Sequence, residues 1–120
     1  MIDINDLTLK QIKEIQSLTN NECKKENGRY CIIRTYSAGV FAGELYSRNC
    51  REVVLLNARR LWMWSGAASL SQLAMEGTKD PENCKFPCEV NRVELLGVIE
   101  ILDCTEISKN SIKSVPVWEK

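Results

Sequence analysis

The 120-residue chain has no histidine, so the side chain that most often moves protons near neutral pH is missing. It has no excess of either charge: sixteen Lys and Arg balance sixteen Asp and Glu. A coat for polymeric nucleic acid would need a basic surplus, so any anion site must be local. No apolar run approaches the ~20 residues of a membrane span. The opening Met1-Ile2-Asp3-Ile4-Asn5-Asp6 is acidic, with no basic stretch ahead of an apolar one, and does not read as a secretory signal; a cytosolic location is expected. The motifs G-x-S-x-G, H-E-x-x-H, G-x-x-x-x-G-K-[ST] and G-x-G-x-x-G are absent, which leaves no nucleophile to nominate.

Six cysteines are present. Cys31, Cys88 and Cys104 lie in apolar, strand-like runs and read as reduced core residues. Cys84 and Cys88 are spaced C-x3-C, but without histidine a zinc site would need two more thiolates from Cys23, Cys31, Cys50 or Cys104. Glu89, Glu94, Glu100, Asp103 and Glu106 are spread along strand-like segments and read as a solvated face rather than a catalytic pair.

The periodicity predicts an α+β fold: an antiparallel β-sheet with short helices packed on it, plus an N-terminal helical extension. Residues 7–19 read as a helix, with Thr8 and Gln11 as a capping box, followed by a polar break at 20–28. Residues 1–28 are therefore taken as N-terminal helix and linker, and 29–120 as a sheet-based ligand-binding domain. Residues 30–36 and 40–46 read as a hairpin around Ser37-Ala38-Gly39, and 47–50 as a second turn. Residues 53–56 and 61–64 read as two short strands separated at Asn57-Ala58. Ser69 and Gln72 open a two-turn helix stopped by Gly77. Residues 78–87 read as a loop, 90–95 and 98–102 as a final strand pair around Gly97, and 106–113 as a last helix.

Three stretches carry candidate chemistry. In Asn57-Ala58-Arg59-Arg60-Leu61-Trp62-Met63-Trp64, strand alternation places Arg60, Trp62 and Trp64 on one face. An arginine beside two indoles suits a phosphate and a base; the same residues suit a tryptophan core with arginine ion pairs. Arg34 and Tyr36 lead into the small-residue turn Ser37-Ala38-Gly39, which fits either a backbone anion cradle or an ordinary hairpin. Ser65-Gly66 before the helix at Ser69 fits either an anion at a helix start or simple capping. Unaided, these patterns support a small α+β domain with a local anion site and nothing finer.

The strings YCIIRTYSAGVFAGEL (30–45) and NARRLWMWSGAASLSQLAMEG (57–77), followed by CKF (84–86), resemble the type-one anti-Thoeris proteins of phages, also called Thoeris anti-defence sponges. The resemblance covers roughly residues 30 to 118. It implies a protein that binds the cyclic ADP-ribose isomer made by bacterial Thoeris immunity and does not cleave it, so that the NAD-depleting effector stays off. It implies no enzyme activity and no cofactor, a homo-oligomer built from dimers with ligand held where protomers meet, and action in the cytosol of an infected bacterium. Some members also capture the cyclic oligonucleotides of CBASS. The shared strings map onto Arg34, Tyr36, Ser37, Ala38, Gly39, Asn57, Arg59, Arg60, Trp62, Trp64, Ser65 and Gly66. Phe86 and Asn91 are added for stacking and base-edge bonding, and Lys109 and Lys113 for charge from a neighbouring protomer. Two other functions fit the residues: an enzyme degrading the same nucleotide, and a protein-binding module that blocks a host effector.

Overall fold

The run Tyr30-Cys31-Ile32-Ile33 is apolar without alternation, the pattern of a strand buried on both faces. In the computed structural model it forms β2 (Tyr30–Thr35), and all four residues are buried. The structure describes residues 23–25 and 28–119; the helix expected at 7–19 lies outside them. Around β2 are β1 (Cys23–Lys25), β3 (Val40–Asn49), β4 (Glu52–Arg60), α1 (Leu70–Glu76), β5 (Val90–Leu95), β6 (Val98–Asp103) and α2 (Glu106–Ser114), with a 3-10 turn at Pro81–Asn83. The fold is α+β, as the periodicity predicted. No helix among the described residues is long and apolar enough to cross a membrane.

The antiparallel sheet runs β5-β4-β3-β2-β6, with β1 beside β3. β5 and β6 are strands, as expected, but they do not pair with each other. They occupy opposite edges, joined only by Leu96-Gly97. In a flat sheet those edges would stand roughly 19 Å apart, four inter-strand spacings. Three Cα steps from Leu95 to Val98 reach about 11 Å at most. The sheet must curl, and the Val98 N–H donates to Arg51 O across the seam at 2.9 Å.

The curl makes two cores. Cys31, Ile33, Phe41, Leu45, Val53, Leu55, Ala58, Leu95 and Val98 fill the concave side. Tyr30, Ile32 and Ala42 face the other way and pack with Leu61, Leu73, Ala74, Phe86, Ile112 and Val115 beneath the helices. Burying side chains such as Ile32 and Ile33 is worth about 1.5–3 kcal/mol each. Gly43 is where β3 bends into the curl. The ladder slips between Ala42 and Glu44, Asn57 takes φ 49° opposite, and a Cβ on Gly43 would stand 2.9 Å from Ala58 Cα. A glycine inside a strand therefore marks a bulge here, with close backbone approach.

Several boundaries move. β3 continues through the expected turn at 47–50 and ends at Asn49, because Ser47, Arg48 and Asn49 pair with Val54, Val53 and Glu52. β4 runs unbroken from Glu52 to Arg60; the expected break at Asn57-Ala58 is the bulge just described. Residues 61–64 are not a strand and make only a bridge at Met63. The polar stretch 20–28 contains β1, which pairs with β3, so the sheet starts before the boundary drawn at residue 29. Cys31 is buried and Cys104 half-buried as expected, but Cys88 is exposed, since Pro87 ends the extended segment that buries Phe86.

α1 is capped by Ser69, whose hydroxyl accepts from the Gln72 N–H at 3.2 Å, while Gln72 Oε1 accepts from the Ala68 N–H at 2.8 Å. Thr105 caps α2 by accepting from the Ser108 N–H at 3.1 Å and donates its hydroxyl to Met75 O at 2.7 Å. One threonine thus starts one helix and satisfies a carbonyl at the end of the other. Ser108, buried at their seam, donates to Leu73 O.

Candidate functional site

Three short extended pieces meet beside the helices. Met63 bridges Lys85 antiparallel, with N–H to O distances of 3.3 and 2.7 Å, and Phe86 bridges Val117 in parallel, with the Trp118 N–H on Phe86 O at 3.0 Å. Phe86 is wholly buried and pins the middle piece to the core. Alternation then turns Lys85 outward between Trp62 and Trp118. The two indoles stack with centroids 4.9 Å apart and planes 11° from parallel. Lys85 Nζ lies 5.4 Å from the Trp62 ring and 5.6 Å from the Trp118 ring. Trp62 is 57 % exposed and Trp118 38 %. A solvent-facing indole pair beside an ammonium is a platform for a flat ring carrying negative charge.

A second cluster lies on α2. Lys109 and Lys113, one turn apart, hold their ammonium groups 5.9 and 5.8 Å from the Tyr30 ring. The Tyr30 hydroxyl is buried and has no hydrogen-bond partner among the described residues. Burial first, then the charges of Cys104 and Glu89, push its pKa well above the ordinary phenol value. A buried hydroxyl without a partner costs about 1–3 kcal/mol, so Tyr30→Phe is expected to stabilise the protein by about 1 kcal/mol, read as a higher denaturant midpoint; a lower midpoint would show that the hydroxyl is satisfied.

The remaining nominated residues separate into groups. Arg60 reaches the 37–39 turn: its guanidinium donates to Ala38 O and lies 4.3 Å over the Phe41 ring. Gly39 takes φ 97° there, and Thr35 accepts from the Ala38 N–H and donates to Gly39 O, so Ser37-Ala38-Gly39 is held as a tight turn. Arg34 lies apart, paired with Glu100 at 3.2 Å, and Tyr36 is 85 % exposed. Trp64 does not share an open face with Arg60 and Trp62, because the chain leaves the sheet after Arg60; it is half-buried against the helix-side core. Asn57 donates to Glu44 at 3.2 Å, and Asn91 is exposed on β5.

Arg59 and Phe86 are enclosed rather than open to a ligand. Arg59 is 3 % exposed and its guanidinium donates to Pro87 O at 2.9 Å, Ile112 O at 2.8 Å and Phe86 O at 3.0 Å. A cation with its donors on backbone carbonyls joins sheet, loop and helix end, where the helix dipole favours positive charge. Ser65 and Gly66 are tied into the 78–84 loop, and at the α1 start Ser69 caps the Gln72 N–H while Gln72 Oε1 accepts from the Ala68 N–H. Of the two readings of this stretch, the Ser69 cap is present. Sequence reasoning groups Trp118 with Trp62 and Trp64 only as an interface or core and misses Lys85, since the bridges are what bring positions 62, 85 and 118 together.

Residues 28–112 match the family described as Domain of unknown function (DUF6948). The chain belongs to that family. No curated protein and no solved structure matches it. The match covers β2 through most of α2 and stops short of Trp118, so the indole stack joins the DUF6948 domain to the segment that follows it.

Ionisable groups inside the domain predict its alkaline behaviour. Burial, reinforced by the hydrogen bond to Asp103, pushes the Cys31 thiol up to about 12 from 9.0, and burial pushes Cys104 up to about 11. The folded state holds these protons more tightly than the unfolded chain. Their contribution is present in full below pH 9.0 and is lost as pH rises toward 11–12. The denaturant midpoint should fall steadily above that threshold, and less steeply in Cys31→Ala; a flat midpoint would contradict the assignment.

Proposed function

We propose that this protein captures a cyclic ADP-ribose isomer and holds it uncleaved, silencing Thoeris immunity in the cytosol of an infected bacterium. The observation that carries the reading is the exposed Trp62–Trp118 stack with Lys85 beside both rings. Adenine offers a flat face to an indole, and stacking is worth about 1–3 kcal/mol per base. The pyrophosphate offers charge to Lys85, and charge-assisted bonds contribute about 1.5–3 kcal/mol. Arg60, two residues before Trp62 in the chain and bound to the 37–39 turn, is a further candidate cation. The long strings shared with anti-Thoeris sponges point to the same ligand class and to a homo-oligomer in which Lys109, Lys113 and Asn91 of adjacent protomers add contacts. Cyclic oligonucleotides of the CBASS type, which share a base and phosphates, are the second ligand class.

Titration against a panel of cyclic ADP-ribose isomers and cyclic oligonucleotides, followed by tryptophan fluorescence, tests the proposal. Binding should saturate at one ligand per site, and heat-denatured protein should return the ligand unchanged. Trp62→Ala should weaken binding by about 5- to 150-fold, the free energy of one stack. Turnover of many equivalents would make the protein an enzyme, and no binding to any member of the panel would favour a protein-binding module.

A further inference from the structure

β5 is an open edge: among the described residues it pairs only with β4, in unbroken register from Val53–Leu95 to Ala58–Val90. Val90, Asn91, Arg92 and Glu94 are exposed, and Leu96 just beyond is 64 % exposed. The segment has no proline, glycine, lysine or bulge, devices that usually keep an edge from pairing. Arg92 and Glu94 share one face and form an ion pair at 2.9 Å.

We infer that this edge docks onto the same edge of a second copy of the chain, antiparallel, about a two-fold axis through Val93. In that register Arg92 faces Glu94 of the second copy and Glu94 faces its Arg92, giving a square of alternating charge. Val90 faces Leu96 of the second copy at both ends, so exposed apolar side chains flank the square. Neighbouring registers on the same face are penalised: an axis through Arg92 sets arginine against arginine, and an axis through Glu94 sets glutamate against glutamate. A one-residue slip would turn the side chains to opposite faces. An axis through a residue centre suits either hydrogen-bonding parity of the free edge, since antiparallel ladders alternate bonded and non-bonded pairs. The sheet then runs continuously from one copy into the other. Each cross-strand pair contributes about 0.2–1 kcal/mol, so the association is concentration-dependent and weakens with salt. The inference does not depend on nucleotide capture.

Sedimentation velocity over a concentration series tests it with the full chain. The native protein should shift from monomer to dimer as concentration rises. Arg92→Glu and Glu94→Arg alone should each remain monomeric, because each places like charges at both symmetric pairs. An equimolar mixture of these two variants should associate one to one, since an acidic strand then faces a basic one. R92E/E94R should associate like the native chain. A native chain that stays monomeric at every concentration, single variants that associate as strongly as the native chain, or a mixture that stays monomeric would overturn the inference.

Discussion

Arg59→Met is expected to lower the free energy of unfolding by about 3–5 kcal/mol, the order left when three charge-assisted hydrogen bonds of about 1.5–3 kcal/mol each are lost and the guanidinium's desolvation is relieved. Methionine fills much of the same volume, so cavity formation is the smaller part of the loss. The larger part is the carbonyls left behind. Pro87 O has the Arg59 Nε–H as its hydrogen-bond donor at 2.9 Å. Phe86 O and Ile112 O each retain one weaker partner, the Trp118 and Val115 N–H groups at 3.0 and 3.3 Å. Charge-assisted bonds of this kind contribute about 1.5–3 kcal/mol each, and they are not additive. The guanidinium also lies 5.5 Å over the Phe86 ring. Because the Trp118 N–H bond to Phe86 O remains, the near-ultraviolet circular dichroism of the stacked indoles should be largely kept in the folded variant. Arg59→Lys should fall between the two, since one ammonium cannot span three carbonyls on separate segments. If Arg59→Met instead kept full stability while abolishing nucleotide binding, the residue would belong to the ligand site and the structural role assigned here would be wrong.

Gly66→Ala should cost about 2–4 kcal/mol, combining left-handed backbone strain with a steric conflict. Gly66 has φ 80°, and a Cβ there would stand 2.4 Å from Asp80 N, 2.7 Å from Lys79 N and 2.8 Å from Thr78 Oγ1. Two of these atoms are backbone, so they cannot swing aside. Around them the 65–66 and 78–84 segments are knotted. The Lys79 N–H donates to Gly66 O at 3.2 Å, the Ser65 hydroxyl to Asp80 Oδ2 at 3.1 Å, Asn83 Nδ2 to the same oxygen at 2.7 Å, and Thr78 Oγ1 to Ser65 O. Gly28→Ala is the matched control: its φ is 74°, yet nothing among the described residues lies within 4 Å of the added Cβ. It should cost only the roughly 1–2 kcal/mol of a left-handed non-glycine residue. Equal losses in the two variants, measured by urea denaturation, would mean that close approach at Gly66 is not what constrains the loop.

The hairpin around Ser37-Ala38-Gly39, the Ser69 cap and the Gly77 stop were legible because each depends on interactions within a few residues. The candidate site was less legible. Strand alternation drawn from Arg60 through Trp64 assumed that the sheet continued, but it ends at Arg60, and the chain turns to meet Lys85 instead. Arg59 and Arg60 are chemically identical neighbours, yet one is sealed against three carbonyls and the other lies across an exposed turn. No local pattern separates them, since the difference is set by which residues the curl and α2 bring over each side chain.

The sequence by itself determined the fold class, most of the sheet strands, the Ser69 cap and the shortage of acid–base machinery, because propensity, periodicity and composition act over short stretches of chain. Tertiary structure alone decided that β5 and β6 lie at opposite edges, that Arg59 and Phe86 are interior, and that Trp62, Lys85 and Trp118 share one surface. The physical reason is closure: a two-residue link between distant edges forces the sheet to curl, and the curl fixes which side chains are covered and which meet.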